Sequence, residues 1–213
     1  TDAGVHAQGQ VAYFDTELLY DEERWFMALN SLTPPSIHVR KVFFTPLDFN
    51  PRVQNCGKHY CYKLWSGHFL PTTLLNCCVR VPRLNIDQMR RAAEYCIGTH
   101  DFSAFRAVDC QAQHAIRTIT EISINSDYPA YTYGIQREED SLIQIDVKGT
   151  AFLKYMVRIL VGTLVDVGLG ERDPDSMREL ILKGERKYAG QTMPAKGLSL
   201  LRVFLDESFN LYC

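Results

Sequence analysis

The sequence predicts an α+β fold, and three observations lead there. Segments whose apolar residues alternate with period two are interspersed with segments whose apolar residues recur at helical spacing. The 213 residues are 46% hydrophobic, enough to bury a sizeable core as one large or two small domains. Helix caps and stops, among them Asp21, Pro34-Pro35, Asn85, Gly98 and Gly184, fall where the two patterns meet.

The chain opens on Asp2, two residues before Gly4 and next to a run in which Val5, Ala7, Val11 and Tyr13 alternate with His6, Gln8, Gln10 and Phe14. This reads as a tight turn feeding a strand, with Asp2 at the strand mouth. An Asp so placed commonly does no more than cap its own turn. Asp21 then caps a helix over residues 22–30, where Trp25, Phe26 and Leu29 share a face. Pro34-Pro35 stops it, residues 37–44 return as a strand, and residues 46–51 form a linker beside Arg52. A domain boundary is therefore expected at residue 52, dividing the chain into 1–52 and 53–213. The first part, strand, helix, strand, is half of a ferredoxin-like module whose other half would precede Thr1.

Residues 58–65 alternate and are rich in aromatics, which predicts a strand with Tyr60 and Tyr62 on one face. Aromatics interleaved with Lys58, His59 and Lys63 can stack bases and touch phosphates, although most such strands are plain sheet. Residues 74–82 read as a further strand. Asn85 with Gln88 caps a helix over 86–97, closed by Gly98. Residues 99–107 follow neither period and read as an ordered loop, with Phe102 and Phe105 plugging the core.

Residues 116–125 predict a strand, and 131–136 with 142–148 a hairpin across Arg137-Glu138-Glu139-Asp140. After Gly149 a helix is expected from about residue 151 to 167, apolar almost all round and therefore buried. Lys154 and Arg158 lie four apart on one face of it. A cation inside a buried helix is costly without an acceptor, so Arg158 requires a partner, which any structural Asp could supply. Asp173-Pro174 begins another helix that ends near Gly184 with a basic tail of Lys183, Arg186 and Lys187. A closing strand runs from Leu198 to Leu205.

Composition narrows the function. The most apolar stretch, 151–168, is interrupted by Lys154, Arg158 and Asp166, so no membrane partner is expected. Seven cysteines, Cys56, Cys61, Cys77, Cys78, Cys96, Cys110 and Cys213, form no C-x-x-C pair, which argues against a disulfide framework and a zinc site. They read as thiols of a reducing, cytoplasmic environment. The six histidines form no metal-binding pair, and His6, nearest to Asp2, reads as a strand histidine bonded to its neighbours. With a net charge of −2, a nucleic-acid partner requires positive charge gathered on one face.

Thr1-Asp2-Ala3-Gly4-Val5-His6-Ala7, followed by Gly9-Gln10-Val11, closely resembles the nucleophile motif of the TruA family of tRNA pseudouridine synthases. Three further blocks resemble the same family: Asp101-Phe102 with Phe105-Arg106, Met156-Val157-Arg158 with Val161-Gly162, and Gly197-Leu198 with Leu200. Nearly the whole chain is covered. In the family an Arg precedes the Thr and more residues lie ahead of it, so this sequence is expected to be a piece of a longer protein.

The resemblance implies a mixed, mainly antiparallel sheet flanked by helices, in two ferredoxin-like-related domains with a central cleft: the pseudouridine synthase fold. It assigns Asp2 as nucleophile, Arg158 as the cation that keeps the carboxylate charged, and Tyr60 as the active-site tyrosine. Leu198 and Leu200 would wall in a flipped-out base. Arg106 would meet an RNA phosphate or a structural carboxylate, and Arg52, Lys58 and Lys154 would line a basic groove. The implied reaction isomerises uridine in the anticodon stem-loop of tRNA, around positions 38–40, in a homodimer, with no cofactor and no metal. Two rivals stand beside it: a non-catalytic RNA-binding fragment of such an enzyme, and a glycosidase, for which no second well-placed acid is found.

Overall fold

The computed structural model describes residues 1–129 and 140–205. The chain divides into two compact units, one formed by residues 1–10 and 55–204, the other chiefly by residues 11–54.

The first unit is built on a seven-stranded sheet: β1 (His6–Ala7), β2 (Asn55–Ser66), β3 (Val79–Val81), β4 (Gly98–Asp101), β5 (Ile116–Pro129), β6 (Ser141–Gly149) and β7 (Leu198–Leu205). Their order is β1-β7-β2-β6-β5-β4, with β3 beside β2. β2, β6, β5 and β4 run antiparallel to their neighbours in that order, while β1 with β7 and β3 with β2 are parallel. The fold is thus α+β with a mixed, mainly antiparallel sheet.

Period two decides what each sheet face buries. Tyr60, Tyr62 and Leu64 stand opposite Val147, Ile145 and Ile143, and all belong to the main core. Helices α2 (Ile86–Glu94), α3 (Met156–Gly168) and α4 (Ser176–Lys183) contribute Met89, Leu160, Leu164, Met177 and Leu180 to that core. Burying each such side chain contributes about 1.5–3 kcal/mol. The alternate positions Trp65 and Leu142 pair across the strands and pack with Leu74 and Cys78 in a second, smaller cluster.

α3 explains its own burial. Eleven of its 13 residues are buried, and Gly162 lets it approach the 190–193 segment so closely that a Cβ there would lie 2.0 Å from the Gln191 carbonyl oxygen. Gly190 closes the contact by donating its N–H to Thr163 Oγ1 at 2.9 Å.

The second unit holds α1 (Glu22–Leu32), capped as expected: Asp21 Oδ1 accepts the Arg24 N–H at 2.8 Å. Trp25 of α1 packs against the rings of Phe14 and Tyr20, with centroids 5.3 and 5.2 Å away. Residues 37–44 do not form the expected strand. A lone extended segment needs a strand neighbour, and among the described residues none pairs with it. The Asn30 side chain substitutes, taking the Val39 N–H at 2.9 Å and donating to its carbonyl at 3.0 Å.

Other boundaries moved for similar reasons. β1 covers only two residues, because after Ala7 the Gln8 and Gly9 N–H groups both turn onto the Leu200 carbonyl. Residues 72–74 form a tight 3₁₀ turn, which leaves β3 three residues long. α2 ends at Glu94, and Gly98 opens β4 where a loop was expected, with Thr99 and Thr118 hydroxyls 2.8 Å apart across the pair. The expected strand at 131–136 lies outside the described residues, and 142–148 belong to β6, which pairs with β2 and β5. α3 starts at residue 156, not 151, since Tyr155 adopts a left-handed conformation that no helix continues through. α4 starts two residues after Pro174 and ends as predicted at Gly184, whose φ of +67 is the left-handed helix stop.

Candidate active site

Asp2 is held by a turn. Its carbonyl accepts the Val5 N–H at 3.1 Å, and Gly4 at φ +80 supplies the left-handed third residue that a type II turn demands. β1 follows at once and is pinned to β7 through the pairs His6–Ser199 and Ala7–Leu200. The carboxylate is thereby presented at the sheet edge, with its side chain 30% exposed.

α3 brings Arg158 to it. The Arg158 side chain is 14% exposed, and its Nη1 lies 3.6 Å from Asp2 Oδ2, an ion pair just beyond hydrogen-bonding distance. Nε of the same side chain donates to the Met193 carbonyl at 2.7 Å, and the Met193 N–H bonds back to the Arg158 carbonyl at 3.3 Å. The guanidinium also lies over the Tyr155 ring, 4.6 Å from its centroid. Arg158 therefore has acceptors on one side and Asp2 on the other, which meets the demand its burial makes.

Tyr60 projects from β2 on the core face, with Phe152 edge-on to its ring at 5.2 Å. Burial pushes its phenol above the ordinary tyrosine range, and the negative charge of Asp2 pushes it the same way. Asp2 thus faces Arg158 directly, and its charge reaches the Tyr60 phenol.

Lys154 sits one position before Tyr155, with Nζ donating to Asp109 Oδ2 at 2.5 Å and lying 5.2 Å from the Tyr155 ring. That hydrogen bond raises the lysine's pKa and lowers the aspartate's. Arg106 is close by along the chain, but its Nη2 donates to the Cys110 and Ala112 carbonyls at 2.5 and 2.7 Å, so it ties a loop together. Leu198 and Leu200 are only 5% and 2% exposed, and Leu200 pairs with Ala7 of the opening stretch. Lys58 lies in β2 opposite Gly149. Arg52 belongs to the second unit, where its N–H donates to Asn50 Oδ1 at 3.0 Å. His6 behaves as a strand histidine, its Nε2 lying 2.7 Å from the Asn76 carbonyl.

Three participants were not found from sequence. Tyr62 donates its hydroxyl to the Pro194 carbonyl at 2.7 Å and leaves no room for a Cβ at Gly197, so it fixes the segment that holds Arg158. Met193 acts through its backbone, and Tyr155 through a strained conformation. Neither role carries a signal in residue type. Among the described residues no group of three or more His, Cys, Asp or Glu is placed to hold a metal ion, and no helix is long and apolar enough to cross a membrane.

The fold is that of the pseudouridine synthases, a class of isomerases. A family profile described as tRNA pseudouridine synthase matches residues 92–206. The chain is 42% identical over 205 residues to tRNA pseudouridine synthase A of Myxococcus xanthus, covering 96% of this chain and 73% of the relative. It is 38% identical to the protein of that name from Acetivibrio thermocellus (96% and 79% covered) and 41% identical to that of Bacillus pumilus (97% and 79%). The chain belongs to the TruA family of tRNA pseudouridine synthases.

Proposed function

We propose that this chain isomerises uridine to pseudouridine in the anticodon stem-loop of tRNA, around positions 38–40, with Asp2 as the nucleophile. One observation carries the reading: the carboxylate of Asp2 stands beside a fixed guanidinium and is close enough to Tyr60 for its charge to act on that phenol. The reaction breaks the C1′–N1 bond, turns the uracil and joins C1′ to C5; N1 gains a proton and C5 loses one, so no external group is consumed. A carboxylate nucleophile and a nearby phenol suit these steps.

Within this reading Tyr60 gives the extruded base a flat wall, with Leu198 and Leu200 supporting the site from beneath. Lys58 and Lys154 take up RNA phosphates on the first unit. Arg106 serves that surface by shaping its loop. A homodimer clamping one tRNA in the cytoplasm completes the proposal.

The test is a single-turnover assay on tRNA transcripts with pseudouridine mapped by position. Asp2→Asn should cut the rate more than about a hundredfold while leaving tRNA affinity within about threefold. Residual turnover within about tenfold of the unsubstituted protein removes Asp2 as nucleophile. RNA binding without turnover by the unsubstituted chain would favour the non-catalytic fragment, and product outside the anticodon stem-loop would refute the site.

A further inference from the structure

Among the described residues Tyr155 is the one non-glycine residue with positive φ, at φ 63 and ψ 4. A bulky aromatic is poorly suited to that region, where glycine, Asn or Asp is the usual occupant. It is also the residue that caps α3, yet it offers no side-chain hydrogen bond to the helix's free N–H groups. Tyr155 is thus a poor choice for its backbone and for its cap.

What it supplies instead is its ring. Arg158 is three positions on, the spacing at which residues on a helix face one another, and its guanidinium carbon lies 4.6 Å from the Tyr155 centroid. Lys154 Nζ lies 5.2 Å from the same ring and is tethered by Asp109. The neighbouring residues share this work: Phe152 packs on Tyr60, Lys154 holds Asp109, and Arg158 faces Asp2. The Nε bond to Met193 fixes one edge of the guanidinium but allows it to swing about that bond. With its centroid 4.6 Å from the guanidinium carbon, the ring is close enough to restrict that swing.

We infer that Tyr155 is a positioning residue for Asp2, holding the Arg158 guanidinium in the plane that faces the carboxylate, and that backbone strain is retained at this position for that purpose. The inference rests on Asp2 being the nucleophile. It assigns the ring face of Tyr155 the role and its hydroxyl none.

The test compares Tyr155→Phe, which keeps the ring, with Tyr155→Asn, which removes it and suits the backbone. Tyr155→Phe should turn over within about twofold of the unsubstituted protein, and Tyr155→Asn should lose at least about tenfold in single-turnover rate at saturating tRNA. Its KM for tRNA should move less than about twofold, and its melting temperature should not fall. In ¹⁵N spectra the Arg158 Nε–H resonance should keep its position in Tyr155→Phe and broaden or shift in Tyr155→Asn. A normal rate in Tyr155→Asn overturns the inference, as does equal loss in both variants or a loss that follows a drop in melting temperature. Asp2→Asn run alongside separates the two levels: if it stays active the nucleophile reading fails, and if it is inactive while Tyr155→Asn is normal only the present inference fails.

Discussion

Arg158 Nη1 faces Asp2 Oδ2 at 3.6 Å while its Nε is bonded at 2.7 Å to the Met193 carbonyl. One guanidinium therefore joins α3, the 190–193 segment and the opening turn. A planar fork can serve an acceptor on each side at once, whereas an ammonium is a point charge that cannot keep both directions.

This geometry orders two substitutions. Arg158→Lys should keep some turnover, because the charge remains, but lose the Met193 bond and the stacking on Tyr155. Arg158→Met fills the site and leaves Asp2 without a cation, so its rate should fall at least about tenfold below that of Arg158→Lys. Single-turnover rates with circular dichroism as a folding control decide it. Equal rates in the two variants would mean that charge beside Asp2 is dispensable.

Tyr60 combines a ring packed on Phe152 with a phenol raised by burial and by Asp2. Tyr60→Phe should keep the packing and fold normally, while Tyr60→Ala removes a half-buried ring at a stability cost of about 2–4 kcal/mol. A rate that falls in Tyr60→Phe as far as in Tyr60→Ala assigns the hydroxyl a proton-transfer role; a rate kept in Tyr60→Phe alone assigns the ring. In Asp2→Asn the phenol loses a repulsive charge, so its absorbance titration should move down from its value in the unsubstituted protein. Burial remains, so the midpoint should stay above the ordinary tyrosine value.

Local signals were legible where local chemistry decides. Asp21 and Asn85 cap α1 and α2 through their side chains, Gly184 stops α4, and the burial of Arg158 called for an acceptor that the family resemblance, not the helix pattern, named as Asp2. Gly162 closed a recognisable motif, and its close approach to Gln191 supplies the physical reason for glycine there. What sequence did not reveal is non-local. β1 is short because beyond Ala7 two successive N–H groups turn onto the one Leu200 carbonyl, residues 37–44 stay irregular because no strand among the described residues meets them, and α3 starts late because Tyr155 is left-handed. The hold of Met193 on Arg158 comes from a backbone carbonyl that every residue possesses, so no residue type could announce it.

Three buried thiols make alkaline stability testable. Burial pushes the Cys61, Cys78 and Cys96 thiols from their ordinary value of 9.0 up to about 12. Between pH 9 and 12 the unfolded chain releases these protons while the folded chain keeps them. The native state then binds more protons, so stability is full below pH 9 and declines as pH rises towards 12. Each such thiol lowers stability by up to about 1.4 kcal/mol per pH unit in that window. Urea unfolding at pH 8 and pH 10 under reducing conditions should show the decline, and Cys96→Ala should make it shallower. An unchanged midpoint between the two pH values would refute the assignment.

The last prediction separates two cations that sequence placed in one groove. Arg106 spends its guanidinium on the Cys110 and Ala112 carbonyls, so Arg106→Ala should lower the melting temperature and leave the salt dependence of tRNA binding unchanged. Lys154 is held by Asp109 in an exposed pair, the kind whose net contribution is about 0–1 kcal/mol, so little opposes its transfer to a phosphate. A phosphate contact releases counterions, and losing one reduces the slope of log K against log salt by about 0.7–0.9. Lys154→Ala should therefore flatten that slope by about one contact with little change in melting temperature, while Asp109→Asn should tighten binding by freeing the ammonium. Filter binding of tRNA across a salt series, done for all three variants, distinguishes them: a slope that changes in Arg106→Ala but not in Lys154→Ala would reverse the two roles.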